Sequence, residues 1–547
     1  MLLVKRLTRS SQILFLTLAI FAADSHRSLA QPPARDVSKE SARPTRDWVR
    51  DGVVYEIYPR AFSERGDFNG ITARLDNLKD LGVTILWLMP IHPIGQEKKK
   101  GSIGSPYAVR DYYGINPDYG TKADFQRLIT QSHRRGMKVI IDIVANHTSW
   151  DSALMKHPEF YKRDAGGKIT YPFDWFDIAA LNYNSKELRQ YMTEMLKYWI
   201  REFDLDGFRC DVAGEVPTDF WENARVELER IKPDIFMLAE SHKAELLVKA
   251  FDADYSWPLH SALTDVLQGR KAASEIRAAW EAETKEWPRN SLHLRFSDNH
   301  DERRALARFG ERAALAASAL TFTLDGVPLL YNGMEVGDTT ESGAPALFEK
   351  LPIFWPIAER RPEFPRFYKQ IMALRRDNPA ASRGSLEWLR NSDESRLLTY
   401  LRRTKNEELL VAINLSSSPF FGLVETTGVQ GYVDITPDVG PPLPPDAPAP
   451  EQTVKKPNVG LPALSLEAWG YRMFRRPLQG GLLSERLAVA TRSAALSEHS
   501  IRARPNASQV RPGRYCRRSD RVAIARRSDM RDTRYAKRPG PDNVLFQ

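Results

Sequence analysis

A cycle repeats along most of the chain: an amphipathic helical segment ends in a glycine, an apolar run follows, and polar residues close the run. Gly82 precedes the run TILWLMP and Gly136 precedes KVIIDIVANH, and the apolar residues before each glycine recur at helical spacing. Strands that alternate with helices predict a parallel sheet, and eight such runs predict an α/β fold of the TIM (β/α)8 barrel type. The predicted strands are VVYEIYP, TILWLMP, KVIIDIVANH, GFRCD, IFMLAE, residues 250–255, the run that ends at 298–301, and VPLLYNG.

The barrel pattern covers residues 48–384 and is interrupted after the third strand. Residues 148–183 lack the cycle there, and we expect them to form a short inserted domain. From 385 to 476, alternating runs such as RLLTYLRR and LLVAINLS predict a C-terminal antiparallel β-sandwich domain. Prolines between 437 and 450 predict a stiff loop within that domain.

The N-terminus has the pattern of a secretory signal. Three basic residues among the first nine precede an apolar run from Ile13 to Ala23, and small residues at 28–30 have the spacing of a cleavage site. We therefore expect a signal peptide at 1–30, a polar linker at 31–47, and a secreted or periplasmic protein. No stretch approaches the roughly 20 apolar residues of a membrane span, so we expect no transmembrane segment.

The net positive charge lies at the C-terminal end of the chain. Residues 477–547 contain fifteen Lys and Arg and six Asp and Glu, so this segment carries +9, the net charge of the whole chain. The segment has little periodicity, and we expect a basic, disordered tail with no nucleic-acid partner. Alternation directs Cys210 into the barrel wall and Cys516 lies in the tail, so a disulfide is not expected.

Three acidic residues stand at the ends of predicted strands. In GFRCD, period-two alternation points Arg209 and Asp211 to the same side, where the cation favours an ionised carboxylate. Glu240 ends IFMLAE and Asp301 ends FSDNHD, so one mouth of the barrel is expected to hold all three acids. Taken singly, Arg209 and Asp211 are more typical of a structural ion pair and Glu240 of a helix cap. Their shared place in the strand pattern favours a catalytic site.

These segments resemble the motif regions of the α-amylase family, glycoside hydrolase family thirteen, in that family's order over residues 48–476. DIVANH resembles the first region, GFRCD the second, MLAES the third and FSDNHD the fourth, while SPYAVRDYYGINPDYGT resembles the segment that supplies a tyrosine to the same sugar. The resemblance implies that Asp211 is the nucleophile, that Glu240 is the general acid and base, and that Asp301 is the third catalytic acid. The substrate-binding residues that it implies are Tyr107, Asp142, His147, Arg209 and His300.

Cleavage of a glycosidic bond requires one carboxylate at the anomeric carbon and one carboxylic acid at the leaving oxygen, so their pKa values must differ. We expect Arg209 to lower the pKa of Asp211. A site with less cationic compensation is expected to raise the pKa of Glu240, and repulsion from Asp301 to help Glu240 keep its proton. Trp87 is expected in the core rather than against the sugar.

Two departures from the family pattern limit what the resemblance implies. At 178–182 the chain reads IAALN, which resembles neither the QPDLN of α-1,6-glucosidases nor the MPKLN of neopullulanases, so the choice of bond stays open. After the nucleophile the chain has Gly214 and Glu215, where typical α-amylases have a lysine–histidine pair that supports calcium and substrate. Asn146 and Asp177 remain candidate oxygen ligands for a calcium ion.

The sequence thus predicts a secreted, retaining α-glucan hydrolase that cleaves starch or maltooligosaccharides by double displacement. A transglycosylase or isomerase of the same family, such as a trehalose synthase, stays open, as does an α-1,6-acting glucosidase or neopullulanase. A non-catalytic glucan-binding protein is disfavoured because all three acids are present. Chain-length preference, endo or exo mode and oligomeric state are not predicted.

Overall fold

The computed structural model describes residues 35–340, 343–426, 428–438 and 460–478. The predicted signal peptide, the start of the linker, most of the proline-bearing loop and the tail from 479 onward lie outside the described residues. The chain divides into two units after Arg476, and nearly all described residues belong to the first unit.

The strands follow the predicted apolar runs. In chain order they are β1 Val54–Ile57, β2 Ile85–Leu88, β3 Lys138–Val144, β4 His147–Ser149, β5 Ile178–Ala180, β6 Gly207–Asp211, β7 Phe236–Ala239, β8 Ala253–Tyr255, β9 His293–Arg295, β10 Val327–Tyr331, β11 Ser385–Trp388, β12 Leu397–Arg403, β13 Glu407–Asn414, β14 Phe420–Leu423, β15 Val433–Asp434, β16 Ala463–Leu466 and β17 Tyr471–Pro477.

A closed parallel barrel forms from β1, β10, β9, β8, β7, β6, β3 and β2, in that order around the ring. Both faces of these strands are buried, as expected for a parallel sheet enclosed by helices. The prediction of a TIM barrel is therefore confirmed.

Helices connect the barrel strands and cover their outer faces. Their bounds are Asp47–Arg50, Pro59–Phe62, Phe68–Thr72, Leu75–Leu81, Lys122–Arg134, Lys186–Phe203, Thr218–Glu229, Leu246–Lys249, Trp257–Leu267, Ser274–Glu286, Ala305–Phe309, Glu311–Thr323, Ala344–Leu347, Glu363–Asp377 and Pro379–Arg383. Thr121 caps one of them in a capping box with Asp124. Gly82 ends another in the left-handed conformation, as expected of the glycine that closes a helical segment. Among the helices of the described residues, none has the length and apolar character that crossing a membrane requires.

Two smaller sheet systems accompany the barrel. After β3, β4 pairs antiparallel with β5, which brings the end of the inserted segment against the strand that begins at His147. The C-terminal domain has a sheet in the order β11-β12-β13-β17-β15 and a second sheet of β14 and β16. Both sheets contribute to one buried core that includes Leu397, Leu410, Phe420 and Leu464. The prediction of an antiparallel C-terminal β-domain is confirmed.

The seventh barrel strand ends earlier than the sequence predicts. β9 stops at Arg295, and residues 296–301 form a loop. Side-chain oxygens take backbone donors there: Asn299 Oδ1 accepts from the amides of Asp301 and Glu302, and Asp298 Oδ2 accepts from the amide of Ala305. Such local hydrogen bonds compete with a strand ladder, so the polar end of the run becomes a turn.

Candidate active site

The carboxyl ends of β3, β6 and β7 meet around one buried arginine. Arg209 Nη1 lies 3.0 Å from Asp142 Oδ1 and 2.9 Å from Asp211 Oδ1. Its Nη2 lies 2.9 Å from Glu240 Oε2. The side chains of Arg209 and Asp142 are fully buried, whereas those of Asp211 and Glu240 are 8% and 17% exposed. One cation thus serves three carboxylates, and two of these reach the open mouth of the barrel.

Burial raises the pKa values of Asp211 and Glu240, and Arg209 acts against burial at both. The charge of Asp211 further raises the pKa of Glu240, whereas a hydrogen bond from the Glu240 side chain lowers that of Asp211. The expectation of a lowered pKa at Asp211 is wrong, because burial outweighs Arg209 there. The expectation that Glu240 has less cationic compensation is also wrong, since the guanidinium contacts it directly.

The backbone after β6 fixes the position of Glu240. The Val212 amide donates to Glu240 Oε2 at 2.8 Å, and the Glu240 amide donates to the Cys210 carbonyl at 3.0 Å. Val212 has φ 43° and ψ 42°, a left-handed conformation that is rare for a β-branched residue. Strained backbone of this kind persists where its surroundings enforce it, and here it aims an amide at the carboxyl group.

The third acid belongs to a chain of polar groups on the opposite side of the mouth. Asp301 Oδ2 lies 3.1 Å from His300 Nε2, which lies 2.8 Å from the Tyr107 hydroxyl. The Tyr107 hydroxyl also donates to Asp142 Oδ2 at 3.2 Å, so this chain joins the arginine cluster. Burial raises the pKa of Asp301 to about 7, and Glu240 contributes to that shift. Among the main causes at Glu240 the repulsion comes from Asp211, whereas the repulsion between Glu240 and Asp301 raises the pKa of Asp301.

His147 lies on the side of the inserted segment. Its Nε2 is 3.9 Å from Asp211 Oδ2, and its ring lies 5.7 Å from that of Trp175, centre to centre. Burial lowers the pKa of His147 to about 4, so the imidazole is neutral at pH 7.

The two candidate metal ligands lie close to His147 but face other partners. Asn146 Nδ2 is 3.5 Å from His147 Nδ1. Asp177 Oδ1 is 2.9 Å from the ammonium group of Lys100. In the part of the chain that the structure describes, no group of three or more His, Cys, Asp and Glu side chains could hold a metal ion.

Several residues that contact the site were not predicted from the sequence. Glu56 of β1 is fully buried and accepts from or donates to His300 Nδ1. Tyr255 of β8 accepts a hydrogen bond from Arg209 Nε at 3.3 Å. An acid in the middle of the apolar run VVYEIYP was a signal for Glu56; nothing in the short β8 run distinguished Tyr255. Trp87 is buried as expected, with Arg209 5.2 Å from the centre of its ring.

Paired carboxylates with raised pKa values on one guanidinium, at the carboxyl end of a parallel barrel, define the class of protein as a barrel enzyme with a glycosidase-type site. The sequence profile of the alpha amylase catalytic domain matches residues 50–176 and 171–396. Because this match covers more than half of the chain, the chain belongs to the α-amylase family of glycoside hydrolases.

Individual relatives agree with this assignment. The chain is 30% identical over 393 residues to the alpha-amylase MalA of Haloarcula japonica, a match that spans 68% of this chain and 56% of that protein. It is 28% identical over 414 residues to the intracellular maltogenic amylase of Bacillus subtilis, covering 67% of this chain and 68% of that protein. The crystal structure of an alpha-amylase from Lactobacillus plantarum is similar with a TM-score of 0.68 and 31% identity, and the match covers 79% of this chain and 100% of that chain.

Proposed function

We propose that this protein hydrolyses α-glucosidic bonds of starch or maltooligosaccharides with retention of the anomeric configuration. The binding of Asp211 and Glu240 by one guanidinium group carries the proposal. Asp211 Oδ1 lies 2.9 Å from Arg209 Nη1 and Glu240 Oε2 lies 2.9 Å from Arg209 Nη2, so the two carboxyl groups lie side by side, whereas an inverting pair stands roughly 6.5–9.5 Å apart to admit a water. A closer pair is the arrangement in which one carboxylate attacks the sugar directly.

Asp211 acts as the nucleophile, because it lies beside Arg209, whose charge favours the carboxylate form. It attacks the anomeric carbon while Glu240 donates its proton to the leaving glycosidic oxygen. The product of this step is a β-linked glycosyl ester on Asp211. Glu240, now a carboxylate, takes a proton from a water that attacks the opposite face, and the α-configuration is restored.

The remaining polar groups hold the sugar at the cleavage point. His147 is neutral and beside Asp211, and burial also lowers the pKa of His300, so both imidazoles can hydrogen-bond sugar hydroxyls without adding charge. Asp301 can accept hydrogen bonds from hydroxyl groups. Hydrogen bonds that strengthen as the ring distorts toward the transition state contribute to catalysis in this reaction class.

An aromatic wall beside His147 supports an oligosaccharide substrate. We use this name for Tyr171, Phe173, Trp175 and Phe176, of which Phe173 and Phe176 are 57% and 54% exposed. The Phe173 and Trp175 rings are 4.7 Å apart, and Trp175 contacts His147. Exposed apolar groups that continue from an active site are typical of ligand-binding grooves. Further glucose units of a chain can bind there.

Proton NMR during the first minutes of maltooligosaccharide cleavage tests the mechanism. The α-anomer of the new reducing end should appear before mutarotation mixes the anomers. An initial β-anomer would overturn the proposed roles of Asp211 and Glu240. Chromatography of products from starch, pullulan and maltotriose separates α-1,4 from α-1,6 cleavage, and trehalose among the products of maltose would instead favour an isomerase.

Replacement of Phe173 by alanine tests the aromatic wall. The KM for maltooligosaccharides should rise several-fold, because stacking is worth on the order of 1 kcal/mol. The KM for a short aryl glucoside should not change. The matched control is Phe421→Ala, which removes an 81% exposed ring from β14 of the C-terminal domain. An equal effect of both variants would contradict the assignment.

We also propose that the protein is exported, on the basis of the signal pattern at residues 1–30. Expression of the full chain should yield an enzyme outside the cytoplasm whose N-terminus lies near Gln31. Retention of the uncleaved chain in the cytoplasm would refute export and leave the hydrolytic function untouched.

A further inference from the structure

The ammonium group of Lys100 forms an ion pair with Asp177, which the sequence analysis names as a candidate calcium ligand. Its Nζ lies 2.9 Å from Asp177 Oδ1, and the Asp177 side chain is only 4% exposed. The ammonium group also lies 5.2 Å from the centre of the Phe176 ring and 5.9 Å from that of Phe348. The carboxylate and the ammonium group therefore meet in a partly apolar environment, where each stabilises the charge of the other.

The loop that carries Lys100 is held in place by its neighbours. Gly101 has φ +62°, and a Cβ at this position would lie 2.4 Å from the Phe348 Cβ. The Ile103 amide donates to the Phe348 carbonyl at 3.1 Å, and the Ser102 amide donates to Glu349 at 3.0 Å. The backbone from which the Lys100 side chain extends toward Asp177 is therefore held in place.

Asp177 stands at a junction next to the site. It directly precedes β5, which pairs with β4 so that Ala180 lies opposite His147. Asp177 and Lys100 both influence the pKa of His147, in opposite directions. The ion pair joins the loop after β2, the end of the inserted segment and the segment after β10 at a point beside His147.

The donor set does not fit a calcium ion. Calcium takes six to eight oxygen ligands. Asp177 already holds an ammonium group, and the Asn146 side chain lies against His147. A calcium ion and Lys100 would compete for the same carboxylate.

We propose that Lys100 is a built-in cation that holds the inserted segment against the barrel through Asp177, so that neither the fold nor the activity requires calcium. Lys100 is a positioning residue in this proposal. It acts on His147 through Asp177 and β5 and does not contact the reacting atoms.

The first test adds a chelator to the wild-type protein. EDTA, followed by excess CaCl2, should leave the melting temperature unchanged within error. Activity on maltooligosaccharides should also be unchanged; this arm rests on the proposed function, whereas the melting-temperature arm does not. A fall in melting temperature on chelation that calcium reverses would overturn the proposal.

The second test is a double-mutant cycle on the melting temperature with Lys100→Met, Asp177→Asn and the double variant. Lys100→Met should lower the melting temperature by several degrees, because it leaves a buried carboxylate without its cation. The double variant should recover part of that loss, since the uncompensated charge is gone. Lys99→Met is the matched control: Lys99 binds only Gln96 and the Ser102 carbonyl among the contacts of its ammonium group in the described residues, and no change is expected.

Additive effects in the cycle would overturn the proposal, as would equal effects of Lys100→Met and Lys99→Met. If Lys100→Met does not fold, Lys100→Arg replaces it in the comparison. Retention of the wild-type melting temperature by Lys100→Arg then supports a role for the charge. Failure of Lys100→Arg to fold, as for Lys100→Met, contradicts that role.

Discussion

Two arginines of the barrel are equally buried, but the carboxylates that contact them have pKa values shifted in opposite directions. Arg209 contacts Asp142, Asp211 and Glu240, and the pKa of each is raised, with burial as the main cause. Arg295 contacts Glu283 at 2.6 Å and Asp325 at 3.2 Å. The pKa values of these two are lowered although burial opposes the shift.

The number of carboxylates per cation and the neutral donors around them account for the difference. Arg295 also donates to the Ser256 hydroxyl at 2.6 Å, and that hydroxyl donates to Glu283. Two acids share Arg295, and further cations assist: His293 lowers the pKa of Glu283 and Arg402 that of Asp325, so these acids are compensated and hydrogen-bonded as structural ion pairs require. Arg209 cannot compensate three buried acids fully, so burial raises the pKa of each. Acids with pKa values perturbed in this way are typical of catalytic sites.

Asp211→Asn gives the largest effect. It should lower turnover by up to about a million-fold, the scale on which loss of an enzyme nucleophile is felt. The melting temperature should not fall, because one of three acids competing for Arg209 becomes neutral and keeps its shape. Steady-state kinetics and thermal unfolding of the purified variant measure both. Turnover near that of the wild type in a folded sample would show that Asp211 is not the nucleophile.

Glu240→Gln comes next, with a loss that depends on the leaving group. Natural glucans should be cleaved orders of magnitude more slowly, whereas an aryl glycoside with a good leaving group should be partly spared in its first step. The basic limb of the pH–rate profile should also disappear, because glutamine cannot lose a proton. The matched control is Glu215→Gln, an exposed acid in the loop after β6. Equal losses on both substrates would argue against an acid role.

Glu283→Gln should affect stability instead of chemistry. Breaking a buried pair by removing one partner costs about 3–5 kcal/mol, while kcat per folded molecule should stay within about two-fold. Glu281→Gln on the same helix is the control, since its partner Arg277 is exposed and such pairs contribute about 0–1 kcal/mol. Chemical denaturation gives the free energies of unfolding. A folded, stable variant that is inactive would break the comparison with Arg209.

The barrel could be predicted because its signals are local. Helix-ending glycines such as Gly82 and apolar runs such as TILWLMP can be recognised within a window of about ten residues. Alternation in GFRCD places Arg209 and Asp211 on one side of the strand. The order of the acids along the chain then matched the order of strand ends, so the candidate site followed from the fold.

Other features depend on contacts between distant segments. Glu56 meets His300 across 244 positions, and only the barrel closure of β1 brings them together. Lys100 reaches Asp177 from a loop without any repeating pattern. The pKa shifts could not be predicted from the sequence either. They depend on which carboxylates the planar guanidinium of Arg209 contacts and on how deeply Glu240 is buried.

The smallest expected effect is the pH dependence of stability, which should differ in sign between the two arginine sites. The pKa of Glu283 is lowered on folding, so its stabilisation is present above its unfolded pKa of about 4.3 and is lost as the pH falls through the folded value. The pKa of Asp211 is raised, so its ionisation opposes folding, and this cost grows as the pH rises from about 3.9 through the folded value.

At pH 7, Glu283→Gln should therefore melt below the wild type and Asp211→Asn at or above it, by an amount that follows about 1.4 kcal/mol per pKa unit. The difference for Asp211→Asn should shrink as the pH is lowered toward 4, whereas that for Glu283→Gln should largely persist to about pH 4.3 and be lost only at lower pH. Melting curves of the three proteins between pH 4 and pH 7.5 measure this, and differences of the same sign at pH 7 would show that Arg209 and Arg295 are electrostatically alike.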